Sequence, residues 1–160
     1  MFDLSAINIF TEKVGLPDRA IDVEEIPWVP VKTGHWFKPL RFDLATGTWT
    51  IMTKISSSAA ISRHRHTGSV FAYTIQGEWR YLERTWVAKA GTVAYEPPGD
   101  VHTLVVNGEE DMITLFIIVG CNQYLDENDQ IIGQDDVFTR LKLYQDYCSA
   151  QHIPLQNLCY

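Results

Sequence analysis

From residue 36 onward the sequence is divided into short runs rich in β-branched and aromatic residues, and glycine, proline or asparagine lies between most of them. The runs cover residues 36–42, 48–56, 61–66, 69–76, 78–87, 92–95, 101–106 and 112–120. Eight short runs with frequent turn residues and no helical pattern between them are typical of an antiparallel sandwich or barrel, and they disfavour a parallel α/β fold. The sequence therefore predicts an all-β domain.

The 160 residues fit one domain with a single core. We expect residues 1–35 to form an irregular N-terminal arm that packs on or extends the main sheet, residues 36–134 to form the barrel, and residues 135–160 to form a helix and tail packed on it. In the last segment, Asp135 and Asp136 can cap a helix, and apolar residues then recur at spacings of three and four. This pattern predicts a helix over about residues 136–150.

Charge and composition exclude several classes of partner. The net charge is −7 and no cluster of lysine and arginine exceeds two residues, so we expect no nucleic acid partner. No apolar run approaches the ~20 residues that span a bilayer, so we expect no membrane partner. The start lacks the pattern of a secretory signal, and three widely spaced cysteines do not resemble a disulfide framework. We therefore expect a cytoplasmic protein.

Three of the five histidines lie where they can share one ion. His64 and His66 are two residues apart in a predicted strand, a spacing that puts both side chains on one face. His102 follows the turn Pro97-Pro98-Gly99. An isolated His-x-His pair is a weak signal, but the glycines and the Pro-x-Gly-x-x-His turn around it make the pattern more specific.

The order of these residues resembles the cupin superfamily. Its first motif, His-x-His followed by a glutamate and then a glycine, matches His64, His66 and Gly77, and its second, Gly-x5-Pro-x-Gly-x2-His, matches Gly91, Pro97, Gly99 and His102. The resemblance implies a cupin-type antiparallel β-barrel (a jelly roll, or double-stranded β-helix) that binds one divalent metal through the three histidines. At the motif's glutamate this sequence has Val70. Three imidazoles without that carboxylate leave coordination positions open, which suits bidentate binding of a substrate to Fe(II).

Two glutamates are candidates to act beside the histidines. A hairpin around Gly77 would put residue 70 opposite residue 83 or 84, which makes Glu83 a candidate fourth ligand; alternatively it is a solvated side chain beside Arg84, because a shift of one residue turns it outward. Glu96 lies six residues before His102. It either orients an imidazole or moves substrate protons, or it is a surface carboxylate at a turn.

Three stretches of the sequence, 64–68, 73–83 and 91–96, resemble the 2,4′-dihydroxyacetophenone dioxygenase family, a relative of acetylacetone-cleaving dioxygenase. The resemblance implies a non-haem Fe(II)-dependent dioxygenase that uses O2 to cleave a C–C bond beside a ketone, in a hydroxyacetophenone or a β-diketone. It implies that the three histidines are ligands, that Glu96 is a base or orienter, and that Arg80 or Tyr73 polarises the substrate. Alternating packing in a β-barrel is the other interpretation of Arg80 and Tyr73. The aromatic content of 12% suits an aryl ketone, and no cationic cluster is present to hold an anion.

Other functions of this fold stay open at this point. A cupin without the usual glutamate could retain zinc as a sensor or regulatory module with no turnover, or it could be a Ni-, Mn- or Zn-dependent isomerase or hydrolase. Imidazole ligands do not by themselves select iron over zinc, nickel or manganese. We also expect a homodimer or larger homo-oligomer, because the predicted arm could add a strand to a neighbouring copy.

Overall fold

Two antiparallel sheets of six strands each form the body of the protein in a computed structural model that describes residues 19–160. Sheet A has the order β1-β2-β3-β10-β5-β8, and sheet B has the order β12-β11-β4-β9-β6-β7. The strands are β1 (Val29–Lys32), β2 (His35–Asp43), β3 (Thr48–Ile55), β4 (Ala60–His66), β5 (Val70–Gln76), β6 (Glu78–Tyr81), β7 (Ala88–Lys89), β8 (Val93–Glu96), β9 (Val101–Val106), β10 (Met112–Val119), β11 (Asn122–Leu125) and β12 (Ile131–Asp135). The prediction of an all-β cupin fold is confirmed, as a two-sheet jelly roll rather than a closed barrel.

Alternation of buried and exposed residues places the core between the sheets. The eight residues of β3 alternate between half-buried and buried, and cross-strand partners on neighbouring strands share a face. Four fully buried aromatic side chains anchor this interior, namely Phe37, Phe42, Trp49 and Trp79. The predicted run 78–87 is wrong in extent, because β6 ends at Tyr81 and only Ala88–Lys89 returns to the sheet.

Strands β1, β11 and β12 were not predicted from the sequence. Val29–Lys32 lies within the range of the predicted arm and pairs with β2, and residues 1–18 of that range lie outside the described residues. Ile131–Asp135 is an edge strand with the sequence Ile-Ile-Gly-Gln-Asp, which lacks the alternation of a half-buried strand. The edge strands β1 of sheet A and β12 of sheet B are therefore recognised by their hydrogen-bonded pairing rather than by their side-chain pattern.

At Gly77 the chain passes from one sheet to the other. β5 pairs with β10 and β8 in sheet A, whereas β6 pairs with β9 and β7 in sheet B. The predicted β5–β6 hairpin is therefore wrong. Gly77 has a φ of +71°, and a Cβ at this position would lie 2.6 Å from the carbonyl oxygen of Asp111, so the crossing requires glycine.

The C-terminal helix α1 (Val137–Gln151) confirms the predicted helix. Asp136 caps it: its Oδ1 accepts from the backbone N–H groups of Phe138 and Thr139, while the Thr139 hydroxyl accepts from the Asp136 N–H. The buried positions are Val137, Arg140, Tyr144 and Cys148, at helical spacing. Among residues 19–160, no helix is long and apolar enough to cross a bilayer.

The outer face of sheet A is apolar where β10, β5 and β8 lie side by side. Two rows of cross-strand partners form it: Ile117, Phe71 and Tyr95 in one row, and Leu115, Tyr73 and Val93 in the next. Tyr95 is 66% exposed and Val93 54%. Association into a homodimer stays a prediction. This face has the apolar composition expected of such an interface.

Candidate metal centre

The three histidines of the predicted site meet between β4 and β9. His64 lies directly opposite His102 in the pairing of these strands, and His66 follows two residues later on the same face of β4. One nitrogen of each ring lies within 4.8 Å of the others, and all three side chains are buried. The structure thus brings His64, His66 and His102 together in a group of the size that holds one metal ion.

Burial and a hydrogen bond to the backbone determine the protonation of these imidazoles. The Nδ1–H of His64 donates to the carbonyl of Ser62 over 2.6 Å, which leaves Nε2 as the free lone pair of that ring. Burial, and then the neighbouring His66 and His102, hold the pKa of His64 well below its usual value. Burial also lowers the pKa of His102. His64 and His102 are therefore neutral at pH 7, the form in which imidazole binds a metal.

A buried carboxylate enters the site from the opposite sheet. Glu96, at the end of β8, has its Oε2 3.1 Å from Nε2 of His66 and 3.5 Å from Nε2 of His102. Its Oε1 accepts a hydrogen bond from the hydroxyl of Tyr81, whose ring stacks on His102 at 3.8 Å between centroids. Burial, and then the charge of Glu96, raise the pKa of Tyr81 well above its usual value, so the phenol keeps its proton.

The residues present fit a divalent transition metal. Within residues 19–160, four buried atoms of the site lack hydrogen-bond partners, and two of them, Nε2 of His102 and Oε2 of Glu96, face each other. Leaving such atoms unpaired is costly, and an ion bound through Nε2 of His102 would satisfy that nitrogen. A site of three imidazoles suits zinc, iron or nickel, and it does not identify the metal.

The site's buried carboxylate comes from the strand beside the substituted glutamate position. Val70, which occupies the glutamate position of the cupin motif, is the cross-strand partner of Glu96. A carboxylate is therefore supplied to the site by the neighbouring strand, as the sequence suggested, but the strand is β8 and the residue is Glu96. Glu83 lies just beyond the end of β6, exposed, and its Oε2 accepts from the backbone N–H of Thr103. The register from which Glu83 was predicted as a ligand is wrong, because the chain changes sheets at Gly77.

Two further predicted residues lie away from the histidines. Tyr73 is 41% exposed on the apolar outer face of sheet A. Arg80 alternates with the buried Trp79 and Tyr81 along β6, so its side chain leaves the opposite face of the strand. Neither lines the cavity at the metal centre. The predicted role of Arg80 or Tyr73 in polarising a substrate is therefore not supported by position, and alternating packing accounts for both.

The cavity beside the histidines has a volume of about 40 Å³. Apolar side chains such as Trp49 and Phe116 form much of its wall, and a polar group completes it: His35, Asn122, Tyr124 and Arg140. Tyr124 and Arg140 both contact Asp135, and the ring of Tyr124 lies 6.1 Å from that of His64. Sequence reasoning missed Tyr81 and Arg140. The spacing of 137, 140, 144 and 148 along the helix was the signal that could have placed Arg140 inside.

His35 gives the metal-free protein a predicted dependence of stability on pH. Burial, followed by the charges of Arg140 and Lys32, lowers the pKa of His35 to about 3. The unfolded chain titrates near 6.5, so between these values it binds more protons than the folded chain and stability falls as pH falls. Relative to the parent, His35→Gln should lose about 2 kcal/mol less stability between pH 7 and pH 5, at about 1.4 kcal/mol per pH unit. Urea unfolding with chelator present measures both slopes, and equal slopes would contradict the assignment.

Comparison with known proteins places this geometry in a family. Residues 17–121 match the model of the ChrR cupin-like domain. An RmlC-like cupin protein from Ralstonia eutropha JMP134 is 34% identical, with 91% of this chain and 96% of that one covered and a TM-score of 0.86. An acetylacetone dioxygenase from Acinetobacter johnsonii is 14% identical (82% and 92% covered, TM-score 0.71). The Rhodobacter sphaeroides complex of SigE with the anti-sigma ChrR contains a chain that is 20% identical (74% and 68% covered, TM-score 0.54).

No curated protein matches the sequence closely enough to count as a relative. The likeness to the dioxygenase and to the anti-sigma complex, each below 25% identity, is a likeness of fold alone. The family model covers well over half of the chain, and the cupin motifs on which the resemblance rested lie inside the matched residues. The chain therefore belongs to the family of ChrR cupin-like domains.

Proposed function

We propose that this protein is a non-haem Fe(II)-dependent dioxygenase that cleaves a C–C bond beside a ketone. The observation that carries the proposal is the pairing of a three-imidazole site with a separate buried carboxylate, Glu96, whose free oxygen faces the ligands. Three neutral ligands leave positions for a substrate oxygen and for O2. Bound iron would supply Lewis acidity toward the substrate ketone and a site at which O2 reacts.

The reaction balances without a further reductant. A β-diketone R–CO–CH2–CO–R′ and O2 give an acid R–COOH and a dicarbonyl R′–CO–CHO, so one C–C bond breaks and both oxygen atoms enter the products. The substrate must first lose a proton from the carbon between its carbonyl groups. The four electrons that reduce O2 come from the substrate itself.

We assign the removal of that proton to Glu96. Its Oε1 is held by the Tyr81 hydroxyl, so Oε2 is the oxygen left free beside His66 and His102. Tyr81 keeps its own proton and therefore orients the carboxylate instead of competing for the substrate proton. Trp49, Phe116 and the other apolar wall residues limit water in the cavity that His64 and His66 line.

The size of the cavity favours a small aliphatic substrate. Its volume of about 40 Å³ is well below the ~150 Å³ of an engineered cavity that holds benzene. An aryl ketone would need the cavity to open, whereas a short diketone or hydroxyketone needs less rearrangement. Of the two substrates that the resemblance implies, a β-diketone therefore fits better than a hydroxyacetophenone.

Oxygen uptake by iron-loaded protein tests the proposal. Protein loaded with Fe(II) without air and then given O2 and acetylacetone, hydroxyacetone or a hydroxyacetophenone should consume one O2 per substrate cleaved, and it should act faster on the small aliphatic compounds. The zinc-loaded protein serves as the matched control and should consume none. Absence of uptake across this panel, with iron bound, would contradict the proposal.

A regulatory metal-binding cupin is the second candidate function. Membership of the ChrR cupin-like family favours it, because one structural neighbour is the anti-sigma ChrR in its complex with SigE. This function predicts retained zinc and no O2 uptake. Metal analysis of protein purified without air, combined with the uptake assay, separates the two candidates.

A further inference from the structure

We infer that the cavity beside the metal centre binds a carboxylate through Arg140, and that the substrate is a small keto acid. The carboxylate site stands on the geometry of Arg140, while its assignment to the substrate rests on the proposed function. The sequence contains no cationic cluster to hold an anion, but helix α1 brings a single buried arginine to the cavity.

Arg140 is a buried cation with unused donors. It is 3% exposed, and its guanidinium lies over the ring of Phe37 at 5.1 Å and over that of Trp49 at 5.7 Å. Nη2 lies 2.5 Å from Oδ2 of Asp135. Nε and Nη1 have no hydrogen-bond partner within residues 19–160. A guanidinium has five N–H donors, and those on Nε and Nη1 are therefore left without an acceptor.

No neighbour of Arg140 within residues 19–160 accepts a hydrogen bond from Nε or Nη1. Oδ2 of Asp135 already accepts from the Tyr124 hydroxyl at 2.7 Å as well as from Arg140. The aromatic rings above and below stabilise the charge by cation–π contact but accept no in-plane hydrogen bond. Asn122 has a buried Oδ1 that is itself unpaired, so it has not been recruited by the guanidinium. A bound acceptor would satisfy these groups.

A carboxylate is the anion that fits best. Charge-assisted hydrogen bonds to arginine are the strong ones, and an anion gains more than a neutral carbonyl in a water-poor site. The cavity that Arg140 lines is about 40 Å³, which favours the smallest organic anions over a phosphate ester.

Arg140 and two histidines of the metal centre line one cavity, which is the basis for assigning one small molecule to both. Tyr124 lines the same cavity and contacts both groups. Its hydroxyl donates to Asp135, which also accepts from Arg140, and its ring centroid is 6.1 Å from that of His64. A molecule with a carboxylate at one end and a ketone at the other matches this pair of sites. Acetoacetate is the simplest probe: with O2 it would give acetate and glyoxylic acid, in balance.

Acetate and acetamide test the anion site directly. The full chain is freed of metal with chelator, because acetate would otherwise bind the metal, and the arginine Nε–H signals are followed by NMR. We expect acetate to shift the signal that exchanges slowest, that of the buried Arg140, and to bind at least about tenfold more tightly than the isosteric, neutral acetamide. Equal binding of the two probes, or no shifted arginine signal, would overturn the inference.

Variants then assign the binding to one side chain. Arg140→Gln should lose the preference for acetate, while Lys142→Gln, which removes an exposed cation from the same helix, should keep it. Retained preference in a folded Arg140→Gln protein would overturn the inference. If this variant does not fold, the NMR result on the parent protein decides, because it needs no substitution.

The result with acetate is independent of the proposed function, and O2 uptake tests the substrate assignment separately. In iron-loaded protein we expect O2 uptake with acetoacetate to exceed that with the equally sized, neutral acetylacetone by about tenfold in kcat/KM. Uptake that favours acetylacetone would overturn the substrate assignment. No uptake with either compound, alongside selective acetate binding, would reject the dioxygenase and leave the carboxylate site standing.

Discussion

Replacing His102 by alanine is expected to reduce bound metal from about one equivalent per chain to nearly none, and turnover with it. His102 is fully buried opposite His64, and two imidazoles without a third protein ligand make a poor site for a divalent ion. Metal content after gel filtration measures the loss, and circular dichroism shows whether the variant folds.

His35→Gln is the matched control for this experiment. His35 is a buried histidine that lines the same cavity but is not among the three clustered rings. We expect it to retain the metal of the parent protein. A His102→Ala protein that still holds one equivalent of metal would remove the basis of the three-histidine assignment.

Replacing Glu96 by glutamine is expected to reduce turnover by about 10²–10⁴ while iron content stays the same. The amide keeps the shape of the side chain and can still accept from Tyr81, but it cannot take a proton from the substrate. Steady-state O2 uptake and metal analysis on the same preparation give both numbers. Loss of iron in step with activity would instead make Glu96 a ligand and contradict its role as a base.

Glu83→Gln is the control that the sequence itself supplies. Glu83 was the predicted fourth ligand, and the structure places it outside, on the backbone of Thr103. We expect its substitution to leave both iron content and turnover unchanged. A drop in either value would show that the loop after β6 contributes to the site.

Much of the fold was predictable because its signals are local. Alternation of buried residues marks strands such as β3, and the acid pair before residue 137 marks the helix start. The histidine pair was equally legible, because a spacing of two on a strand fixes a common face whatever the strand pairs with. These features need no knowledge of which strands are neighbours.

The errors arose where strand pairing or helix packing determines which residues reach the site. Glu83 was predicted from a hairpin that does not exist, because Gly77 takes the chain into the other sheet. Glu96 reaches the histidines because β8 pairs with β5, a partnership between segments that are not adjacent in sequence. Arg140 was missed for a related reason: it lies 38 residues after His102, and only the packing of a helix against the sheets brings it to the same cavity.

Strand β8 has only four residues, and two neighbouring ones lie on opposite faces of sheet A. Glu96 faces inward to the histidines, and its neighbour Tyr95 faces outward, 66% exposed, on the apolar side of sheet A. A rigid pleat ties the directions of adjacent side chains together, so a tilt of the strand moves both. A molecule that packs against Tyr95 would therefore contact the strand that positions the Glu96 carboxylate, so the outer surface of sheet A and the metal centre are linked through β8.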